Sequence, residues 1–227
     1  MRRLCRSSWL LASALVLSAF GLASASDATP IGPSCGTCQG STYDLTYSGS
    51  PIASDLTPVL GAPNGTETFR ITYTIDTSDY NGGGVYINTV ALKVASSFLD
   101  ATLFSAPGDP SSWMEMFVGL NAAGCSGAGS GYDCVRWATN DLSAAPSVPG
   151  GTYTWVFDIL VPTGTLLTGD GQASVKARYA DSSGLKVGAL VSESITLSTG
   201  STPTPEPGPI ALLVTAALAA LAWRRRG

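Results

Sequence analysis

Asp76, Asp79 and Asn81 fall within one glycine-rich stretch that runs on through Gly82, Gly83 and Gly84. Their side-chain oxygens are of the type that Ca²⁺ accepts. The spacing lacks the glutamate that closes an EF-hand loop, so the expectation is a solvated turn, with calcium a weak candidate and no other metal or cofactor expected. Glycoside cleavage needs two carboxyls about 5–10 Å apart. Fifteen acids lie between the two ends of the chain, and none stands in a recognisable catalytic setting. Asp158, on the polar face of an alternating run, and Glu115, near Trp113, are the best of them. Trp113, Tyr132 and Trp137 could stack on the apolar faces of sugar rings if exposed; core packing is the favoured alternative. Histidine is absent, which excludes Ser-His-Asp and Cys-His catalysis of the usual kind and histidine-based zinc sites. The chain is not expected to be an enzyme.

The cysteines carry redox rather than catalytic information. Cys5 falls in the N-terminal segment expected to be removed, leaving Cys35, Cys38, Cys125 and Cys134. An even number in an exported chain reads as disulfides. Three pairings are possible, and the local one, Cys35 with Cys38 and Cys125 with Cys134, is preferred because the second interval is rich in glycine and can close on itself. A redox Cys-x-x-Cys should open a helix, whose N-terminus lowers the thiol pKa. After Cys38, however, Tyr43, Leu45 and Tyr47 alternate as a strand. A four-cysteine zinc site is disfavoured by the wide second interval.

The elements that must carry these residues are strands. Over 68–76, Phe69, Ile71, Tyr73 and Ile75 share one face and Arg70, Thr72 and Thr74 the other, the period-two pattern of a half-buried antiparallel strand. A second strand begins at Val85 and Ile87 and continues through Val90, Leu92 and Val94, and the shift of apolar phase between Ile87 and Val90 predicts a bulge. Tyr153, Trp155, Phe157, Ile159 and Val161 give the longest clean alternation and are expected at the centre of the core. Further strands are predicted over 43–47, 101–104, 113–118, 175–179 and 191–197. No stretch of this body has helical apolar spacing. About eight antiparallel strands separated by Gly, Pro and Asp turns predict an all-β fold, a single β-sandwich with a jelly-roll variant in view.

The two ends are addresses rather than fold. Arg2, Arg3 and Arg6 precede an apolar run over 9–22, and Ala23 and Ala25 are the small residues a signal peptidase accepts. Residues 1–25 are therefore expected to be a signal peptide, with Ser26 the new N-terminus. At the other end, 201–208 form a Pro/Thr spacer containing Pro205-Glu206-Pro207. An apolar segment over 209–223 is expected to be a transmembrane helix, and 224–227, with Arg224, Arg225 and Arg226, a basic cytoplasmic tail. Fifteen helical residues span roughly 22 Å against a hydrocarbon core of about 30 Å, which favours removal over permanent anchoring.

This order of Pro-Glu-Pro, apolar helix and arginine cluster resembles the PEP-CTERM sorting signal. The stretch over 35–49, CGTCQGSTYDLTYSG, is similar to the opening of an uncharacterised group of PEP-CTERM proteins. The resemblance implies an exosortase substrate of a Gram-negative bacterium, anchored transiently and then left at the cell surface or in the extracellular matrix. Exosortase and signal peptidase would be its partners during export, and exopolysaccharide its surroundings afterwards.

Between the ends, 26–200 make one extracellular domain of 175 residues, enough for a core of its own. Six basic residues face fifteen acidic ones there, a net charge of −9, which argues against nucleic acid or anionic lipid as a partner. Membrane contact is expected only through the C-terminal helix before processing. A structural or adhesive role linked to exopolysaccharide is the expected function, with a carbohydrate-binding module as the alternative and a secreted glycoside hydrolase less favoured.

Overall fold

A computed structural model describes residues 30–32, 34–53, 65–95, 98–128, 131–139, 141–167 and 173–199. The expected signal peptide, with Ala23, Ala25 and Ser26, lies outside the described residues, as do the Pro-Glu-Pro spacer, the segment over 209–223 expected to be a transmembrane helix, and Arg224, Arg225 and Arg226. Among the described residues no helix is long and apolar enough to cross a membrane.

Period-two alternation produces the two longest strands, β2 (Thr66–Asp76) and β9 (Thr152–Pro162), which pair antiparallel along their whole length. Phe69, Ile71, Tyr73 and Ile75 from β2 and Trp155, Phe157, Ile159 and Val161 from β9 all turn inward and are buried. On one flank β2 takes β1 (Thr42–Tyr47), which is joined in parallel by β12 (Ser198–Thr199). On the other flank β9 takes β4 (Asp100–Ser105), so the first sheet runs β12-β1-β2-β9-β4. β2 holds its centre, and β9, although its inward side chains are fully buried, is second from the edge.

The second sheet runs β11 (Val191–Ile195), β10 (Ala173–Ala180), β3 (Tyr86–Lys93), β8 (Asp133–Trp137) and β5 (Trp113–Met116), antiparallel throughout. Its apolar residues, among them Ile87, Val90, Leu92, Val135, Val175, Ala177 and Val191, join those of the first sheet in one hydrophobic cluster. The fold is all-β and sandwich-like. The expected bulge in β3 is present: Ile87 stands opposite Tyr179 and Thr89 opposite Arg178, leaving Asn88 as the extra residue.

Tyrosines stitch the two sheets together. The Tyr43 hydroxyl on β1 and the Tyr179 hydroxyl on β10 are 2.6 Å apart, Tyr179 also donates to Ser41 Oγ at 2.9 Å, and Tyr80 stacks on Tyr179 with ring centroids 4.5 Å apart. Burial raises the pKa of both phenols, that of Tyr179 to about 12, so they stay neutral donors and acceptors.

Among the described residues twelve strands form where about eight were expected. β8 is one of the additions. Two others, β6 (Gly119–Asn121) and β7 (Gly124–Gly127), make a short ribbon of their own. Gly119 and Gly127 face each other there, and a Cβ on either would come within 2.7–2.8 Å of the opposing backbone. A side chain at either position would push the ribbon apart. The ribbon covers the outer face of the second sheet, where Leu120 and Cys125 pack on Ala91 and Cys134. The strand predicted over 113–118 stops at Met116, and the one over 191–197 stops at Ile195, with β12 following beyond it.

Candidate functional site

Both disulfides follow the local pairing. Cys35 is bonded to Cys38 with Cα atoms 5.3 Å apart, and Cys125 to Cys134 with Cα atoms 5.7 Å apart. Cys35 and Cys38 sit in turns that lead into β1, not at the helix start from which a redox Cys-x-x-Cys works. The second bridge fastens the ribbon strand β7 to β8.

Two of the aromatic rings considered for sugar stacking are core residues. Trp113 on β5 is the register partner of Trp137 on β8, and the two are only 6% and 8% exposed. Their rings meet edge to face at 5.3 Å, and Trp113 meets Trp155 of the opposite sheet in the same manner at 5.5 Å. Each outer indole N–H is satisfied by backbone, that of Trp113 donating to Pro107 O at 3.1 Å and that of Trp137 to Asp141 O at 2.8 Å. Neither ring offers a flat face to a polysaccharide, which corrects the stacking role considered for Trp113 and Trp137. Tyr132 differs. It is half-buried on the outer face of the second sheet, its hydroxyl lies 2.9 Å from Ser174 Oγ, and the ammonium groups of Lys176 and Lys93 sit 4.5 and 5.6 Å from its ring centroid.

The turn holding Asp76, Asp79 and Asn81 is closed by its own backbone. Asp76 Oδ1 accepts from the N–H and Oγ of Ser78 at 2.9 and 2.6 Å, which holds its pKa below the usual carboxylate value. The Asn81 N–H donates to Gln39 O at 2.9 Å. Gly40, at φ +85°, lies so close to Asp79 that a Cβ would fall 2.0 Å from its carbonyl oxygen. Among the described residues no group of three or more His, Cys, Asp or Glu side chains is arranged to hold a metal ion.

Nor are the two carboxyls weighed for glycoside cleavage brought together. Asp158 on β9 is the register partner of Arg70 on β2 and accepts two hydrogen bonds from its guanidinium, at 2.8 and 2.9 Å. The Arg70 guanidinium also lies 3.6 Å from the centroid of the exposed Phe104 ring. This is a bidentate cross-strand ion pair on the face away from the core.

Glu115 has a different neighbour. On β5 it stands opposite Val135 of β8, and Asp133 is two residues before Val135, on the same inward face. Asp133 is 0% exposed, and neither of its carboxyl oxygens has a hydrogen-bond partner; Glu115 Oε1 is likewise buried without one. The backbone N–H of Leu103 on β4 approaches Glu115, and the Asp100 carboxylate, also on β4, adds negative charge to both groups. Burial raises the Glu115 pKa. Burial first, then the charge of Glu115 and the hydrogen bond that the two carboxyls share when one is protonated, raise that of Asp133 well above the usual carboxylate value, offset in part by the nearby N–H of Cys134. A polymer substrate cannot reach a fully buried side chain. The pair can hold a proton or a cation, but it cannot flank a glycosidic bond.

Asp133 and Arg178 were not anticipated as special positions. Arg178 on β10 is nearly buried and donates to Asn88 Oδ1 at 2.7 Å, Ala122 O at 3.1 Å and Gly184 O at 3.2 Å, linking the β3 bulge, the ribbon turn and the loop after β10. In the sequence Arg178 is simply a polar residue of an alternating strand. Asp133 follows a glycine-rich interval that reads as loop.

No family model matches the chain, and no curated protein matches it.

Proposed function

We propose that this protein is exported, sorted by a PEP-CTERM signal and left at the cell surface or in the extracellular matrix of a Gram-negative bacterium, where its body has a structural or adhesive role linked to exopolysaccharide. The observation that carries this reading is the order of Pro205-Glu206-Pro207, the apolar segment over 209–223 and Arg224-Arg225-Arg226 at the end of the sequence. The body is consistent with it: two disulfides suit an oxidising compartment, and a histidine-free acidic domain suits a non-catalytic extracellular module. Chain connections from β2 through β5 and from β8 to β10 pass back and forth between the sheets, which favours a sandwich of the jelly-roll kind. Intact mass tests the sorting. In a host carrying an exosortase the mature protein should lack Arg224, Arg225 and Arg226. A tail retained equally with and without the exosortase removes the proposal.

A second reading, carbohydrate binding, has one observation in its favour. Tyr132 with Lys93, Lys176 and Ser174 forms a small cationic aromatic surface on an otherwise acidic body. Such a surface suits an acidic sugar, whose carboxylate the ammonium groups would meet. Retention on a uronate-containing polysaccharide should fall with salt and be lost in Tyr132→Ala and Lys176→Ala. Retention unchanged in both variants would exclude this surface.

A further inference from the structure

The geometry points to a divalent-cation site of the calcium class at the edge of the fold where β4, β5 and β8 meet, with the carboxylates of Asp133 and Glu115 as its protein ligands. Three buried carboxyl oxygens, both of Asp133 and Oε1 of Glu115, have no hydrogen-bond partner, and Asp133 is fully enclosed. A buried carboxylate without a partner is strongly unfavourable, so such a group is normally paired, protonated or bound to a metal.

Pairing with a basic side chain is not available. All six basic residues between the two ends are placed elsewhere: Arg70 on Asp158, Arg178 on Asn88, Lys93 and Lys176 beside Tyr132, Arg136 against Met114, and Lys186 on the carbonyl of Gly188. A single shared proton would bridge the two side chains but keep one negative charge buried beside Asp100, with only the approach of the Leu103 and Cys134 N–H groups to offset it. A divalent ion neutralises both carboxylates and satisfies all three oxygens at once.

The donor set selects the ion. Only hard oxygen ligands are present, with histidine absent and Cys35, Cys38, Cys125 and Cys134 all oxidised, which disfavours zinc and copper. Calcium takes bidentate carboxylates in irregular geometry and completes its shell with water, whereas magnesium demands a near-regular octahedron. Asp100 supplies further negative potential from β4. Because β4 is an edge of the first sheet and β5 an edge of the second, the ion would close the sandwich at the one flank where these two strands lie together.

Terbium luminescence and thermal unfolding test the site on protein purified after export and stripped with EDTA. Trp113 precedes Glu115 by two residues on the same face of β5, roughly 7 Å away along the strand, close enough to sensitise bound Tb³⁺. Tryptophan-excited Tb³⁺ emission should appear and be competed by Ca²⁺, and Ca²⁺ at about a hundredfold over its Kd should raise the Tm by about 5–10 °C. Asp133→Asn and Glu115→Gln should each lose the emission and the Ca²⁺ response. Asp133→Asn should also melt no lower than the wild type in EDTA, since it removes a buried charge; should that variant fail to fold, Glu115→Gln carries the test. A wild type with no Tb³⁺ emission and no Ca²⁺ shift, stabilised instead as pH falls from 7 to 5, would make the pair a proton-sharing dyad and overturn the inference. A Ca²⁺ response that survives both substitutions would place the ion elsewhere and overturn it equally.

Discussion

Asp181 shows how single carboxylates shape this surface. Its Oδ1 accepts from the N–H and Oγ of Ser183 at 2.9 and 2.6 Å and from the N–H of Leu185 at 3.0 Å, closing the turn after β10. The Ser183 side chain above all, with the two backbone N–H groups and the nearby Arg178 charge, holds its pKa below the usual value. A depressed folded-state pKa means that the stabilisation is complete above the unfolded value of about 3.9 and is lost as pH falls through the folded value. Asp181→Ala should therefore lower the Tm at pH 7, and the gap to the wild type should close below about pH 3.9, as paired thermal melts would record. A gap that persists in acid would mean that the turn depends on the side chain's shape rather than its charge. Trp113 makes the opposite kind of contribution, from inside. Trp113→Ala should cost about 3–5 kcal/mol in denaturant unfolding, because it vacates the contact between Trp137 and Trp155. If the cost were below about 1 kcal/mol, the tryptophan would be surface cover instead.

Among the elements, the disulfides give a graded expectation. The bridge between Cys125 and Cys134 closes an interval of nine residues and that between Cys35 and Cys38 one of three. In the chain-entropy picture these are worth about 2.6 and about 1.6 kcal/mol. Replacing Cys125 and Cys134 together by Ser should therefore destabilise more than the same change at Cys35 and Cys38, and it should also release the β6–β7 ribbon, read as faster amide exchange at Leu120. Equal losses would show that the ribbon is held by Leu120 and Ala91 packing alone. The same elements mark where the sequence is readable. β2, β9 and β10 were legible because their inward positions are unbroken apolar series, and the β3 bulge because Ile87 and Val90 are out of phase. β8 was not, although Val135 and Trp137 flank Arg136, because its inward series begins with Asp133, a residue that normally marks a turn. The ribbon was hidden for the reverse reason: the glycines that let its strands approach closely are the residues that elsewhere signal loops. The pairing of Asp133 with Glu115 depends on the β5–β8 register, which puts Glu115 opposite Val135 across an intervening ribbon. No local pattern encodes that register.

Over the whole molecule the dominant long-range force is self-repulsion. Fifteen acidic residues against six basic ones between the two ends leave a net charge of −9, and among the described residues the salt bridge is that of Arg70 with Asp158. Folding brings these charges closer together, so screening should favour the folded state. The Debye length falls from about 30 Å at 0.01 M salt to about 10 Å at 0.1 M, which spans the distances that matter within a domain of this size. Raising monovalent salt over that range should raise the Tm by a few degrees, and NaCl and choline chloride should act alike because screening is indifferent to the cation. Calcium at low millimolar concentration contributes little ionic strength, so a Ca²⁺ shift remaining at a constant 0.15 M NaCl belongs to a site rather than to the general field. A Tm that falls with monovalent salt would mean that attractive pairs outweigh the net charge. Arg70 is the place to look for that outcome: its bond to the buried Asp158 ties β2 to β9, and Arg70→Ala should lower the Tm more than its contribution to net charge predicts, by leaving that carboxylate without its guanidinium.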